Sequence, residues 1–138
     1  MLPMPHLSAS HQALTVLLVE PSPMLAERLL RLVMSRHGVA AALASSVDEA
    51  ITQLRIGRFA LVAVDLDAAR DPDLSGVRRL RATAPGSHFM VLTADPDPET
   101  LAACRDLGAD TVLPLAHGLR RVVAVLDELL AARGLQLA

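Results

Sequence analysis

Three carboxylates and a hydroxyl stand where apolar runs of the chain end. Glu20 follows Thr15-Val-Leu-Leu-Val19, and Asp65 follows Phe59-Ala-Leu-Val-Ala-Val64, with Asp67 two residues on. Thr93 closes His88-Phe-Met-Val-Leu92. Carboxylate oxygens gathered at one edge suit a hard cation such as Mg²⁺. A hydroxyl across the same crevice can bond a phosphoryl oxygen. An aspartate nucleophile, a metal that neutralises charge and a hydroxyl that senses the product together make a phosphoryl acceptor. A phosphoryl group adds about −1.5 to −2 charges, enough to move a nearby loop. The plainer alternative is that strand-end acids cap helices and stay hydrated, and that Thr93 bonds its own backbone. Glu20 and Asp67 fit either description; Asp65, directly after a buried run, fits the chemical one better.

The elements that must position these residues are legible as alternation. Short, β-branched runs without polar interruption read as strands buried on both faces. Such runs begin at Thr15, Val39, Phe59, His88 and Thr111, the second weakened by its alanines. Helices fit between them. Ser22 with Pro23 opens the first, with Leu25, Leu29 and Leu32 at helical spacing and Gly38 as its stop. Ser46-Val-Asp-Glu49 has the form of a capping box. Val77 and Leu80 mark a short third helix, and Asp97-Pro98 opens a fourth that Gly108 closes. Leu119, Val122, Val123, Leu126, Leu129 and Leu130 form the apolar stripe of a last helix expected to end near Ala132. Five strand–helix units in succession predict an α/β fold, a doubly wound parallel sheet with helices on both faces. Ligands of such sheets bind at the C-terminal ends of the strands. The expected organisation is an N-terminal arm over 1–13, one domain over 14–132 and a tail over 133–138.

Composition removes whole classes of function. A net charge of −2 argues against a general nucleic-acid binder. Phe59 and Phe89 are the only aromatics, so base-stacking platforms are not expected. Cys104 is the single cysteine, which excludes an intrachain disulfide, and it reads as a small buried hydrophobe on the fourth helix. The five histidines do not pair at metal-ligand spacing. No apolar run reaches the roughly 18 residues of a membrane span, and Met1 to Ala13 lacks a basic start. A cytoplasmic domain is the expectation. No Ser-His-Asp or Cys-His set falls on neighbouring strand ends, so no enzyme is expected.

Five segments in order carry a resemblance: Val16-Leu-Leu-Val-Glu20, Phe59-Ala-Leu-Val-Ala-Val-Asp65, Gly76-Val-Arg-Arg-Leu-Arg81, Val91-Leu-Thr-Ala94 and Leu107-Gly-Ala-Asp110. Over about Leu14 to Ala132 the chain resembles the receiver domain of bacterial response regulators, the CheY-like family. The resemblance implies a flavodoxin-like sheet of strand order 2-1-3-4-5 with five helices. It places Asp65 at the phosphoacceptor position, Glu20 at the first of two acids after strand one and Thr93 at the switch hydroxyl. Asp67 falls where a backbone carbonyl is offered to Mg²⁺. It implies a histidine kinase or another signalling protein as partner, and pairing of two copies through the fourth helix, fifth strand and fifth helix.

The departures from the family pattern are specific. The second acid, a metal ligand in the family, is Pro21 here. The lysine after strand five falls on Leu115, and the proline that should follow it is Ala116. The aromatic partner of the switch hydroxyl falls on Val112. One metal ligand and the phosphoryl-binding cation are thus missing, which weighs against Mg²⁺ and against fast phosphorylation at Asp65. The expectation is a degenerate receiver that signals by protein contact. The alternatives are a fully active phosphoacceptor using Mg²⁺ and a kinase, and a small-molecule binder on a flavodoxin-like sheet. The last is disfavoured because Glu20-Pro-Ser-Pro23 stands where a Gly-rich phosphate loop would follow the first strand.

Overall fold

The five apolar runs form β1 (Leu14–Val19), β2 (Val39–Ala44), β3 (Leu61–Asp65), β4 (His88–Thr93) and β5 (Thr111–Pro114). Between and after them lie α1 (Pro23–Met34), α2 (Val47–Ile56), α3 (Ser75–Thr83), α4 (Pro98–Asp106) and α5 (Arg120–Leu137). These elements come from a computed structural model that describes residues 13–66, 74–94, 97–115 and 119–137. All strand pairs are parallel and the sheet order is β2-β1-β3-β4-β5, the flavodoxin-like order expected.

Strand alternation divides the core into two layers. Val16, Leu18, Leu61, Ala63, Met90, Leu92 and Leu113 face α1 and α5, where they meet Leu29, Val33, Val122 and Leu126. Leu17, Val19, Val62, Val64, Phe89 and Val91 face the other three helices, through Ala50, Ile51, Val77, Leu80 and Cys104. Cover on both faces is why these strands read as unbroken apolar runs. β2 is an edge strand, and four of its six residues are only half-buried, which accounts for its weak alanine-rich signature.

The caps follow the sequence with one variation. Ser46 Oγ accepts from the Glu49 amide at 3.1 Å. Glu49 answers through its neighbour, since Ser45 Oγ donates to Glu49 Oε2 at 2.8 Å. Asp97 Oδ1 accepts from the Thr100 amide at 2.7 Å, and that bond holds its carboxyl below the usual value. The stabilisation this gives is therefore present above the ordinary aspartate pKa and fades as acid protonates the cap. Two boundaries differ from expectation. β3 begins at Leu61 rather than Phe59 and takes in Asp65. α5 continues to Leu137, through the segment expected as a tail; Ala131, Ala132 and Arg133 are strong helix formers, and the apolar stripe that set the expected end stops before them.

The lower rim of the sheet is tied by one guanidinium. Arg81 of α3 donates to the Ser87 carbonyl at 2.8 Å, lies 3.8 Å from Asp110 Oδ2 and sits over the Phe89 ring, 5.6 Å from its centroid. Asp110 Oδ2 in turn accepts from the Phe89 amide at 2.8 Å. Gly108, at φ 98°, occupies the left-handed region, and a Cβ there would approach Arg81 Nε to 3.2 Å.

This packing sets outcomes for Leu126, Ile56 and Cys104. Leu126 is fully enclosed between α5 and the sheet, so Leu126→Ala lowers unfolding stability by about 2–5 kcal/mol. Ile56→Ala, at a residue 83% exposed, changes it by less than about 0.5 kcal/mol in the same denaturant titration. Cys104 is completely buried and desolvation pushes its thiol pKa up. The native protein therefore resists a thiol reagent at mildly alkaline pH and reacts once urea unfolds it; prompt labelling of the native state would contradict the burial. Because the unfolded thiol ionises first, this residue's contribution to stability declines as pH rises above about 8.5.

Candidate functional site

The polar residues singled out by sequence lie at the C-terminal ends of the central strands. β1 and β3 pair with Val19 beside Val64, so the next residues, Glu20 and Asp65, are neighbours across the two strands. Both continue the alternation of the α1/α5 face, after Leu18 and Ala63. Both are buried, with exposures of 3% and 5%. Asp65 also pairs with Leu92 of β4, which puts Thr93 one residue further along the adjacent strand. Thr93 is buried and continues the alternation of Phe89 and Val91, on the opposite face from Asp65. Asp67 lies outside the described residues.

Glu20 has a structural task whatever its chemistry. Its amide donates to the Ala44 carbonyl at 2.9 Å, which ties it to β2. Its Oε2 accepts from the Ser22 amide at 3.0 Å, at the N-cap of α1. Asp65 is the last residue of β3.

The departing positions can now be placed. Leu115, one residue past β5, is part-buried against the apolar layer under α1 and α5. Val112 packs in the other layer, beside Val91 and on the face of the sheet that Thr93 continues. Pro21 is exposed beside the two carboxylates. Among the described residues the donor set for a cation is thus Glu20 and Asp65, with one Glu20 oxygen already engaged by the Ser22 amide. Pro21 adds no side-chain oxygen. No group of three His, Cys, Asp or Glu gathers as a metal site among the described residues. The rest of a six-oxygen shell around a divalent ion would have to come from backbone carbonyls, water or a bound phosphoryl group.

A cleft of about 310 Å³ opens beside Asp65. Val19, Pro21, Ser45, Ser46, Val47, Asp48 and Arg79 complete its lining. Arg79 Nη2 lies 3.0 Å from Asp48 Oδ1, so an ion pair joins α3 to the first turn of α2 at this cleft. Arg79, Asp48, Ser45 and Ser46 were not marked by the sequence as site residues. Arg79 stands within Gly76-Val-Arg-Arg-Leu-Arg81 and Asp48 within the capping motif, but only the packing of α2 on α3 brings them to Asp65.

No protein-family model matches the chain, and no curated protein matches it. Solved structures do. A response regulator protein from Burkholderia pseudomallei, with a phosphorylated aspartic acid, a calcium ion and citrate, shares 26% identity at a TM-score of 0.72. That match covers 88% of this chain and 74% of that one. A CheY-like receiver domain protein from Methanospirillum hungatei is 16% identical at a TM-score of 0.75, covering 91% of this chain and 99% of its own. An atypical orphan response regulator described with a phosphorylation-independent regulatory mechanism is 22% identical at 0.66, covering 80% and 89%. The last two speak to fold alone. No helix among the described residues is long and apolar enough to cross a membrane. With its all-parallel sheet in the order β2-β1-β3-β4-β5 and these structural neighbours, the chain has the fold of CheY-like response regulator receiver domains.

Proposed function

We propose that the domain serves two-component signalling as a degenerate receiver, with weak or no phosphorylation of Asp65, and passes its signal by protein contact. It acts as a signalling module and not as an enzyme, with a histidine kinase or another signalling protein as partner. The observation that carries this reading is Leu115, which packs into the apolar layer where the family resemblance calls for a lysine. Transfer of a phosphoryl group needs charge neutralisation at its equatorial oxygens. Losing one donor aimed at that charge costs about 10²–10³ in rate, and here Pro21 removes a metal ligand as well. Both kinds of regulator occur among the structural neighbours, one with a phosphorylated aspartic acid and one with phosphorylation-independent regulation. The residues around Asp65 favour the second kind.

The contact surface in this reading is formed by α4, β5 and α5, in a pair of identical chains. Leu101, Val112 and Val123 are part-buried on these elements, and Asp106, Arg120 and Arg121 are exposed there. Val125, whose apolar side chain broadens the α5 stripe, is buried in the core and contributes nothing to that surface.

Incubation with Mg²⁺ and acetyl phosphate, followed by intact mass, tests the first part. The expected result is slow, substoichiometric modification that Asp65→Asn removes. Rapid stoichiometric modification of Asp65 would defeat the degenerate reading. Light scattering over a wide concentration range tests the second part: a mass that rises towards twice the chain supports the pairing, and a monomer at the highest concentration counts against it.

A further inference from the structure

The cleft beside Asp65 contains a cation, although not at the position after β5. Arg79 is the one cationic side chain among the described residues that line it. It comes from the second turn of α3, and its guanidinium is held by Asp48 at 3.0 Å. Both partners are more than half exposed, with side-chain exposures of 56% and 84%. Exposed pairs of this kind are weakly held and easily exchanged. Arg81, two residues on, makes the contrast: it is fixed by the Ser87 carbonyl and lies against Asp110, so it is not available to move.

We propose that Arg79 is the oxyanion-binding cation of this site. A tetrahedral oxyanion held at Asp65 draws the guanidinium from Asp48 into the cleft, and this breaks the ion pair between α2 and α3. The inference rests on the reading of Asp65 as the acceptor position. A guanidinium presents a planar fork of N–H donors suited to phosphoryl oxygens. A phosphoryl group carries about −1.5 to −2 charges, against the single charge of Asp48, so the exchange runs towards the cleft. The Ser46 hydroxyl, whose oxygen accepts from the Glu49 amide, keeps its proton as a further donor in the cleft, and a volume of about 310 Å³ admits the group.

The oxyanion has two sources. In one, an Asp65 carboxylate oxygen attacks the phosphorus of acetyl phosphate. The new O–P bond forms as the P–O bond to acetate breaks, and acetate leaves with the electron pair. In the other, free phosphate occupies the cleft without a covalent bond.

The test uses the full chain and its Arg79→Gln, Asp48→Asn and Asp65→Asn variants, all but the last at exposed positions. Acetyl phosphate with Mg²⁺ is followed by intact mass over hours, and inorganic phosphate alone by the amide shifts of Ser45 to Asp48. Arg79→Gln is expected to slow Asp65 modification by at least about tenfold. Asp48→Asn, which frees the guanidinium, is expected to raise it about two- to fivefold. A merely structural ion pair would move both variants in the same direction, and that result overturns the inference. Phosphate-induced shifts that persist in Asp65→Asn and vanish in Arg79→Gln identify the free ion as the source; a mass adduct lost in Asp65→Asn identifies the covalent one. If the wild type responds to neither probe, the inference fails and the contact-signalling reading stands. Fast Asp65 modification that Arg79→Gln leaves unchanged overturns both.

Discussion

A strand covered on both faces can place a charge only where it ends. β1, β3 and β4 are enclosed by two helical layers, and an ionised group in their interior would be stranded without water or partners. Polar groups are therefore pushed to the rims of the sheet, and at the upper rim these are Glu20, Asp65 and Thr93. Parallel pairing in register then decides which of them meet. It sets Glu20 beside Asp65, and it gives Thr93 to the opposite face.

That constraint also explains what the sequence could and could not reveal. Unbroken apolar runs, each ended by a polar residue, are a local signal, so five strands and the residues crowning them were legible from order alone. Ser22, Ser46 and Asp97 were legible as caps because a cap is made within four residues. The end of α5 was not, because the apolar stripe read from the sequence stops at Leu130, while the helix continues through helix-forming alanines. Arg79 and Asp48 were illegible for another reason. They lie 31 positions apart on two helices, and nothing in either local pattern says that α2 and α3 pack side by side.

The altered positions around Asp65 form a physically consistent group. A lysine at position 115 would carry its charge next to the layer that Leu115 now helps to close. A leucine there strengthens the core and forfeits the cation. Val112 likewise fills the layer under the other helices without the bulk of an aromatic ring. Pro21 has exchanged a ligand oxygen for backbone rigidity immediately before the α1 cap, a segment that Glu20 already pins through the Ser22 amide. In the reading proposed above, each change moves the rim from binding chemistry towards packing.

Gly108 gives the opposite rim a different character. Because it has no side chain, Arg81 can lie flat beside it while covering Phe89 and approaching Asp110. A residue of any bulk at this turn would press on the guanidinium, and through it on the ring and the carboxylate, so the end of α3, the turn after α4 and the base of β4 respond as one piece. A side chain at position 108 would thus disturb an ion pair, a ring contact and a loop carbonyl at once, through a single guanidinium.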